Sequence, residues 1–182
     1  RSASYNLQVN YSETAVIAGK LTVTSGRIYC TTIAAAGDVE VAAGYNSGTY
    51  YGNGTLKFNG AGDQQFTIGS GAVYPYNLEV DKAGGAVIVG TSALNVYNNL
   101  TITNGALDLA SNDLSVGTSS SGVLTNNAKL KLAGGNTIAF NNQFSEPTIG
   151  DWEYTGKGVS ETLAMPDLGA GRAYHDLTIN DT

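Results

Sequence analysis

Apolar and polar residues alternate along this chain in short runs. Between Asn98 and Gly117, NNLTITNGALDLASNDLSVG carries three apolar pairs, Leu100/Ile102, Leu107/Leu109 and Leu114/Val116, whose starts at 100, 107 and 114 are evenly spaced. A spacing of two within each pair is the period of a strand with one buried face. The signal recurs at LTVT (21–24), DVEV (38–41), TLKF (55–58), QFTI (65–68), NLEV (77–80), AVIV (86–89), KLKL (129–132) and TIAF (137–140), each with Gly, Asn, Ser or Asp within two residues of an end. Gly and β-branched residues interrupt every candidate helical window. The pattern predicts an all-β chain.

Two architectures satisfy it. Asn104-Gly105 suits a type I′ hairpin turn that would set Ile102 against Leu107 and Leu100 against Leu109, which leads to an antiparallel β-sandwich or jelly roll. Alternatively, sides of about seven residues with a small residue at each corner, three to a rung of about 21, build a solenoid. Thr101, Thr103, Asp108 and Ser115 then face solvent, and eight or so rungs at about 4.8 Å give a rod on the order of 40 Å long. Persistence of the beat well beyond this stretch favours the coil.

Larger repeats point the same way. YNLQV (5–9) returns as YNLEV (76–80) and HDLTI (175–179), and GKLTVTSG (19–26) as NNLTITNG (98–105). Residues 54–80 find a looser echo in 151–179, with Leu56 and Phe58 matched to Trp152 and Tyr154. On this reading 1–182 is a single domain with about one full internal repeat, roughly 5–75 and 76–174, and an irregular insertion near 142–170.

The succession GTLKFNGAGDQQFTI, YNLEVDKAGGAVIV, LNVYNNLTITNGALDLASNDLSVG resembles the tandem repeats of large secreted bacterial surface proteins, of the filamentous-haemagglutinin-like and autotransporter-passenger-like kind. The likeness is strongest over 54–117 and 151–180. It implies a right-handed parallel β-helix, export, and a structural or adhesive role on the cell surface or in a fibre. Residues 142–170 and AAGYNSGTYYGNG (42–54) depart from the pattern.

Composition narrows the partners. Only 13% of residues are charged and the net charge is −6, against about 25% charged in ordinary domains. The nine Lys and Arg are scattered singly, so nothing resembles a phosphate-binding stripe, and nucleic acid and anionic membranes are disfavoured. No apolar run of about 18 residues is present, so no spanning helix is expected. Arg1 in place of an initiator Met implies a processed product or an excised fragment. Cys30 is the single cysteine and has no internal disulfide partner.

Catalytic chemistry is sparse. His175 is the single histidine, and alternation along a strand would turn it away from Asp176. Cys30 lacks a neighbouring base or cation, which suits a structural role. The densest carboxylates, Glu146, Asp151, Glu153, Glu161 and Asp167, form the alternative of a polysaccharide-active β-helix enzyme, weighed against a solvated loop. Neither a metal site nor a cofactor is expected. A Ca²⁺ ion on surface Asp and backbone carbonyls stays open, because GAGDQ (60–64) matches the glycine-aspartate calcium repeat only in part. Tyr45, Tyr50 and Tyr51, set among Gly, Asn and Ser, are candidates for surface recognition, as in a carbohydrate-binding module. Tyr5, Leu7, Val9, Leu177 and Ile179 are candidates for end-to-end contacts. The reading is a non-enzymatic, extracellular bacterial stalk, adhesin segment or fibre subunit. Its partners would be neighbouring repeats or further copies, and glycans or a host surface.

Overall fold

A computed structural model describes residues 6–8, 13–24, 27–41, 54–69, 75–90, 93–117, 122–140, 143–145, 150–156, 168 and 173–180. Among these the chain is all-β, and every strand pair is parallel. The fold is a β-solenoid whose coils follow one another about 22 residues apart.

Each coil has three sides. The first side stacks β2 (Thr14–Ile17), β5 (Thr32–Ala35), β7 (Thr55–Phe58), the opening of β9 (Asn77–Val89), the opening of β11 (Leu100–Asp108), β13 (Val123–Asn126) and β16 (Gln143–Ser145). The second stacks β3 (Leu21–Val23), β6 (Val39–Val41), β8 (Gln64–Ile68), the ends of β9 and β11, β14 (Lys129–Leu132), β17 (Asp151–Tyr154) and β18 (Asp176–Ile179). The third stacks β10 (Leu94–Val96), β12 (Leu114–Val116) and β15 (Ile138–Phe140). Nearer the N-terminus, β4 (Arg27–Tyr29) fills the third side of its coil and pairs with β1 (Asn6–Gln8).

Alternation turns one residue in two inward, and register places like on like. Ile33, Leu56, Leu78, Leu100 and Leu124 form one buried column of the first side. Leu107, Leu130 and Trp152 form one of the second, and Leu94 lies on Leu114 in the third. Each such Leu, removed from water, contributes about 1.5–3 kcal/mol. A parallel sheet normally needs both faces covered; closing three stacked sides around one core satisfies the inner face and leaves the outer one polar.

Asn104-Gly105 is a corner. Strand β11 runs through it with an irregular register against β9, Gly105 has a φ of 79°, and Ile102 and Leu107 lie on successive sides. Other corners are held by side chains that reach the next coil. Asp38, Asp63 and Asp113 each accept a backbone N–H one coil on, from Gln65, Ala86 and Thr137 at 2.8, 2.8 and 2.7 Å. Asn136 donates to the carbonyls of Ala110 and Asn112 at 2.9 and 2.7 Å, and Asn112 to that of Gly90 at 2.6 Å. The chain's many Asn and Asp thus satisfy backbone groups that a strand ladder leaves unpaired at each bend.

Position in the repeat and place in the coil are different things. The motif YNLQV/YNLEV/HDLTI falls on β1, β9 and β18, that is, on the third, first and second sides. Trp152 is buried, but it lies on Leu130 in the second side, whereas Leu56 belongs to the first. Any side needs the same apolar-polar-apolar pattern, so likeness identifies a kind of side rather than its place. Gln143–Ser145 and Asp151–Tyr154 also continue the first two ladders in register.

Candidate functional site

The outer surface of the first side carries a groove of about 260 Å³ over β7, β9 and β11. Alternation puts Thr55, Asn77, Glu79 and Thr101 on this surface, and Asn98 and Asn99 border it where the chain enters β11. The amides are organised by one another. Asn98 Nδ2 donates to Asn77 Oδ1 at 2.9 Å, the Asn99 N–H to the same oxygen at 3.3 Å, and the Val123 N–H to Asn99 Oδ1 at 3.0 Å. One residue before each of Asn77 and Asn98, Tyr76 and Tyr97 pack with ring centroids 5.4 Å apart, and Tyr97 keeps 43% of its surface exposed.

Beside the groove runs an ion ladder. Lys57 Nζ donates to Glu79 at 3.1 Å and Asp81 at 2.6 Å, and Asn104 donates to Asp81 at 2.8 Å. The Lys57 ammonium and then the Asn104 amide hold Asp81 below the usual aspartate range, and the Asp81 hydrogen bond leads those that raise Lys57.

A second polar feature lies inside the rod. Lys82 is 1% exposed, and its Nζ donates to the Gly60 carbonyl at 2.8 Å and to Gln64 Oε1 at 2.6 Å. Gln64 in turn accepts from the Gly60 N–H at 2.9 Å and donates to the Ala35 and Gly37 carbonyls at 3.1 and 2.5 Å. Three coils are stitched together at one corner. Burial pushes the Lys82 ammonium below the usual lysine range, opposed by the charge of Asp63.

The residues singled out from sequence scatter. Tyr45, Tyr50, Tyr51, Tyr5 and Val9 lie outside the described residues, as do Glu146, Glu161 and Asp167. Leu7 is on β1, opposite Ile28. Leu177 and Ile179 are 43% and 60% exposed on β18, although their partners in register, Trp152 and Tyr154, are buried. Cys30 is half-buried, and burial raises its thiol.

Two readings need correction. His175 and Asp176 are not held apart: Nδ1 lies 3.1 Å from Oδ2, because His175 precedes β18 and alternation does not yet apply. Asp151 and Glu153 are not loop residues but the outward positions of β17, both bound by Lys129, at 3.2 and 2.7 Å. Lys129 holds Glu153 below the usual glutamate range, the opposite of what a general acid requires.

Asp63 of GAGDQ faces the Ala86 N–H, and among the described residues no three or more His, Cys, Asp or Glu gather as metal ligands. No described helix is long and apolar enough to cross a membrane. The groove and Lys82 escaped sequence reasoning. Their groups lie about 22 residues apart in the chain, and YN at 76–77 and 97–98 was the one local signal. The chain matches no protein-family model, no curated protein and no solved structure.

Proposed function

We propose that this chain is a structural or adhesive rod segment of an extracellular bacterial surface protein, stacking through its open coil edges onto a neighbouring repeat or a second copy. The observation that carries the reading is one inner column of the second side. Register runs it from Leu21 through Val39, Phe66 and Val89, and on the C-terminal coils from Leu132 through Tyr154 to Ile179. Its interior members are buried, whereas Leu21 is half-buried and Ile179 60% exposed.

A strand edge with apolar inward positions uncovered is a template for one more parallel strand. Continuing the coil would lay β3 of the next copy on β18, so that Ile179 meets Leu21. The mechanism is mechanical: backbone ladders and apolar columns make the rod stiff, and the outer faces are left for contact.

Sedimentation velocity over a concentration series, with electron microscopy of the same samples, tests this. The native chain should associate with rising concentration into elongated particles, and Ile179→Lys with Leu177→Lys should abolish the association while leaving the β-sheet circular dichroism intact. A native chain that stays monomeric throughout would sink the end-to-end reading.

A further inference from the structure

We infer that the groove flanked by Tyr76 and Tyr97 is a binding site for a neutral oligosaccharide. This goes beyond the stacking reading, since a rod can stack with or without such a site, and the two fail in different experiments.

Three observations carry it. The first is the chemistry of the lining. Thr55 and Thr101 hydroxyls both donate and accept, the Asn98 and Asn99 amides offer both kinds of group, and the Glu79 carboxylate accepts. Sugar hydroxyls, each a donor and an acceptor, need such a mixture. Leu78 is the one apolar residue of the lining, and at 1% exposure it belongs to the inner column, so it offers a peptide side chain little to anchor on. The backbone of β7, β9 and β11 is already paired coil to coil, so it offers no edge for an added peptide strand.

The second is the aromatic pair. Tyr97 directly precedes the lining residue Asn98 and keeps 43% of its surface exposed, its ring steadied against Tyr76 at 5.4 Å. A tyrosine face takes the C–H face of a pyranose ring while its hydroxyl reaches water or a sugar oxygen. The pair is rigid at low entropic cost because few torsions need fixing.

The third is repetition. Tyr76-Asn77 and Tyr97-Asn98 present the same two groups on adjacent coils, about 4.8 Å apart. That interval is of the order of one sugar ring, so a repeating ligand meets repeating groups. The hydrogen bonds among Asn77, Asn98 and Asn99 hold the amides before any ligand arrives. Charge sets the class further. Glu79 and Asp81 outnumber Lys57, which already spans both, so a polyanionic glycan is repelled.

Calorimetric titration with cellohexaose, mannohexaose and xylohexaose, and with oligogalacturonate as the anionic comparison, tests the site. At least one neutral hexaose should bind saturably, and Tyr97→Ala should weaken it about tenfold, as for an interfacial aromatic anchor. Tyr97→Phe should retain most of the affinity, and Lys131→Ala, on the second side, all of it. Should Tyr97→Ala lose its fold by circular dichroism, Thr101→Val removes a lining hydroxyl without touching the inner column and should also weaken binding. No binding of any neutral hexaose at millimolar concentration overturns the inference. So does binding that survives both groove variants, binding lost equally in Lys131→Ala, or oligogalacturonate binding as tightly as the best neutral sugar.

Discussion

Lys82 is the residue least expected in a core of stacked Leu, Val and Ile. Its neighbours at Nζ are a carbonyl and an amide oxygen, neither of them charged. Burial strips water from the ammonium and depresses its pKa, against the opposing charge of Asp63. The unfolded chain then binds more protons between the depressed folded value and about pH 10.4, so stability rises with pH across that window. We predict that the urea midpoint of the native chain climbs relative to Lys82→Met as pH rises toward the unfolded lysine value of about 10.4. Parallel midpoints would show that the ammonium costs nothing where it sits. Gly105 touches the same feature. At its φ of 79° a Cβ would lie 2.9 Å from Lys82 Cβ, whereas one at Gly62 would meet nothing within 4 Å. Gly105→Ala should cost about 1–3 kcal/mol and Gly62→Ala well under about 1 kcal/mol, both read from urea unfolding.

The strand is the unit at which charge becomes organised. Lys57 faces Glu79 and Asp81 across one strand pair of the first side, and Lys129 faces Asp151 and Glu153 across one of the second. Hydrogen bonds from these ammonium groups come first among the effects that lower Asp81 and Glu153. A carboxylate whose folded pKa is depressed contributes stability above the unfolded range near pH 4, and loses it as pH falls through the folded value. Replacing Lys57 and Lys129 by Met should therefore flatten the loss of stability between about pH 5 and about pH 2, followed by circular dichroism. An unchanged acid limb would mean that solvent already screens both ladders. Alternation along KLKL and TLKF made these lysines legible as outward residues. Which carboxylate each would meet was not legible, because the partner lies one coil away and register decides it.

At the scale of the molecule, each coil touches its neighbours and little else, so stability is distributed along the rod. Strand β11 is covered by β9 on one side and by β13 and β14 on the other, whereas β18 pairs only with β17 among the described residues. Amide hydrogen exchange should accordingly be slowest in β11 and fastest in β18, with β17 between them. Uniform protection across the three would indicate that the β18 edge is covered in solution, as stacking predicts at high concentration. The gradient should therefore shrink as protein concentration rises, and Ile179→Lys should restore it.

Sequence alone determined the all-β class, the seven-residue sides and the inward identity of Leu100, Ile102, Leu107 and Trp152, and it favoured the solenoid with a corner at Asn104-Gly105 over the sandwich with a hairpin there. These are local properties: a side chain's face follows from alternation, and a corner needs a residue that tolerates positive φ. Only the tertiary structure decided which side each segment occupies, that Lys82 is buried, that Lys129 takes both Asp151 and Glu153, that three asparagines line one groove, and that Tyr76 and Tyr97 pack together. The physical reason is the coil itself. It brings together residues about 22 positions apart, and every side is written in the same apolar-polar alternation, so the pattern that reveals the fold conceals who lies on whom.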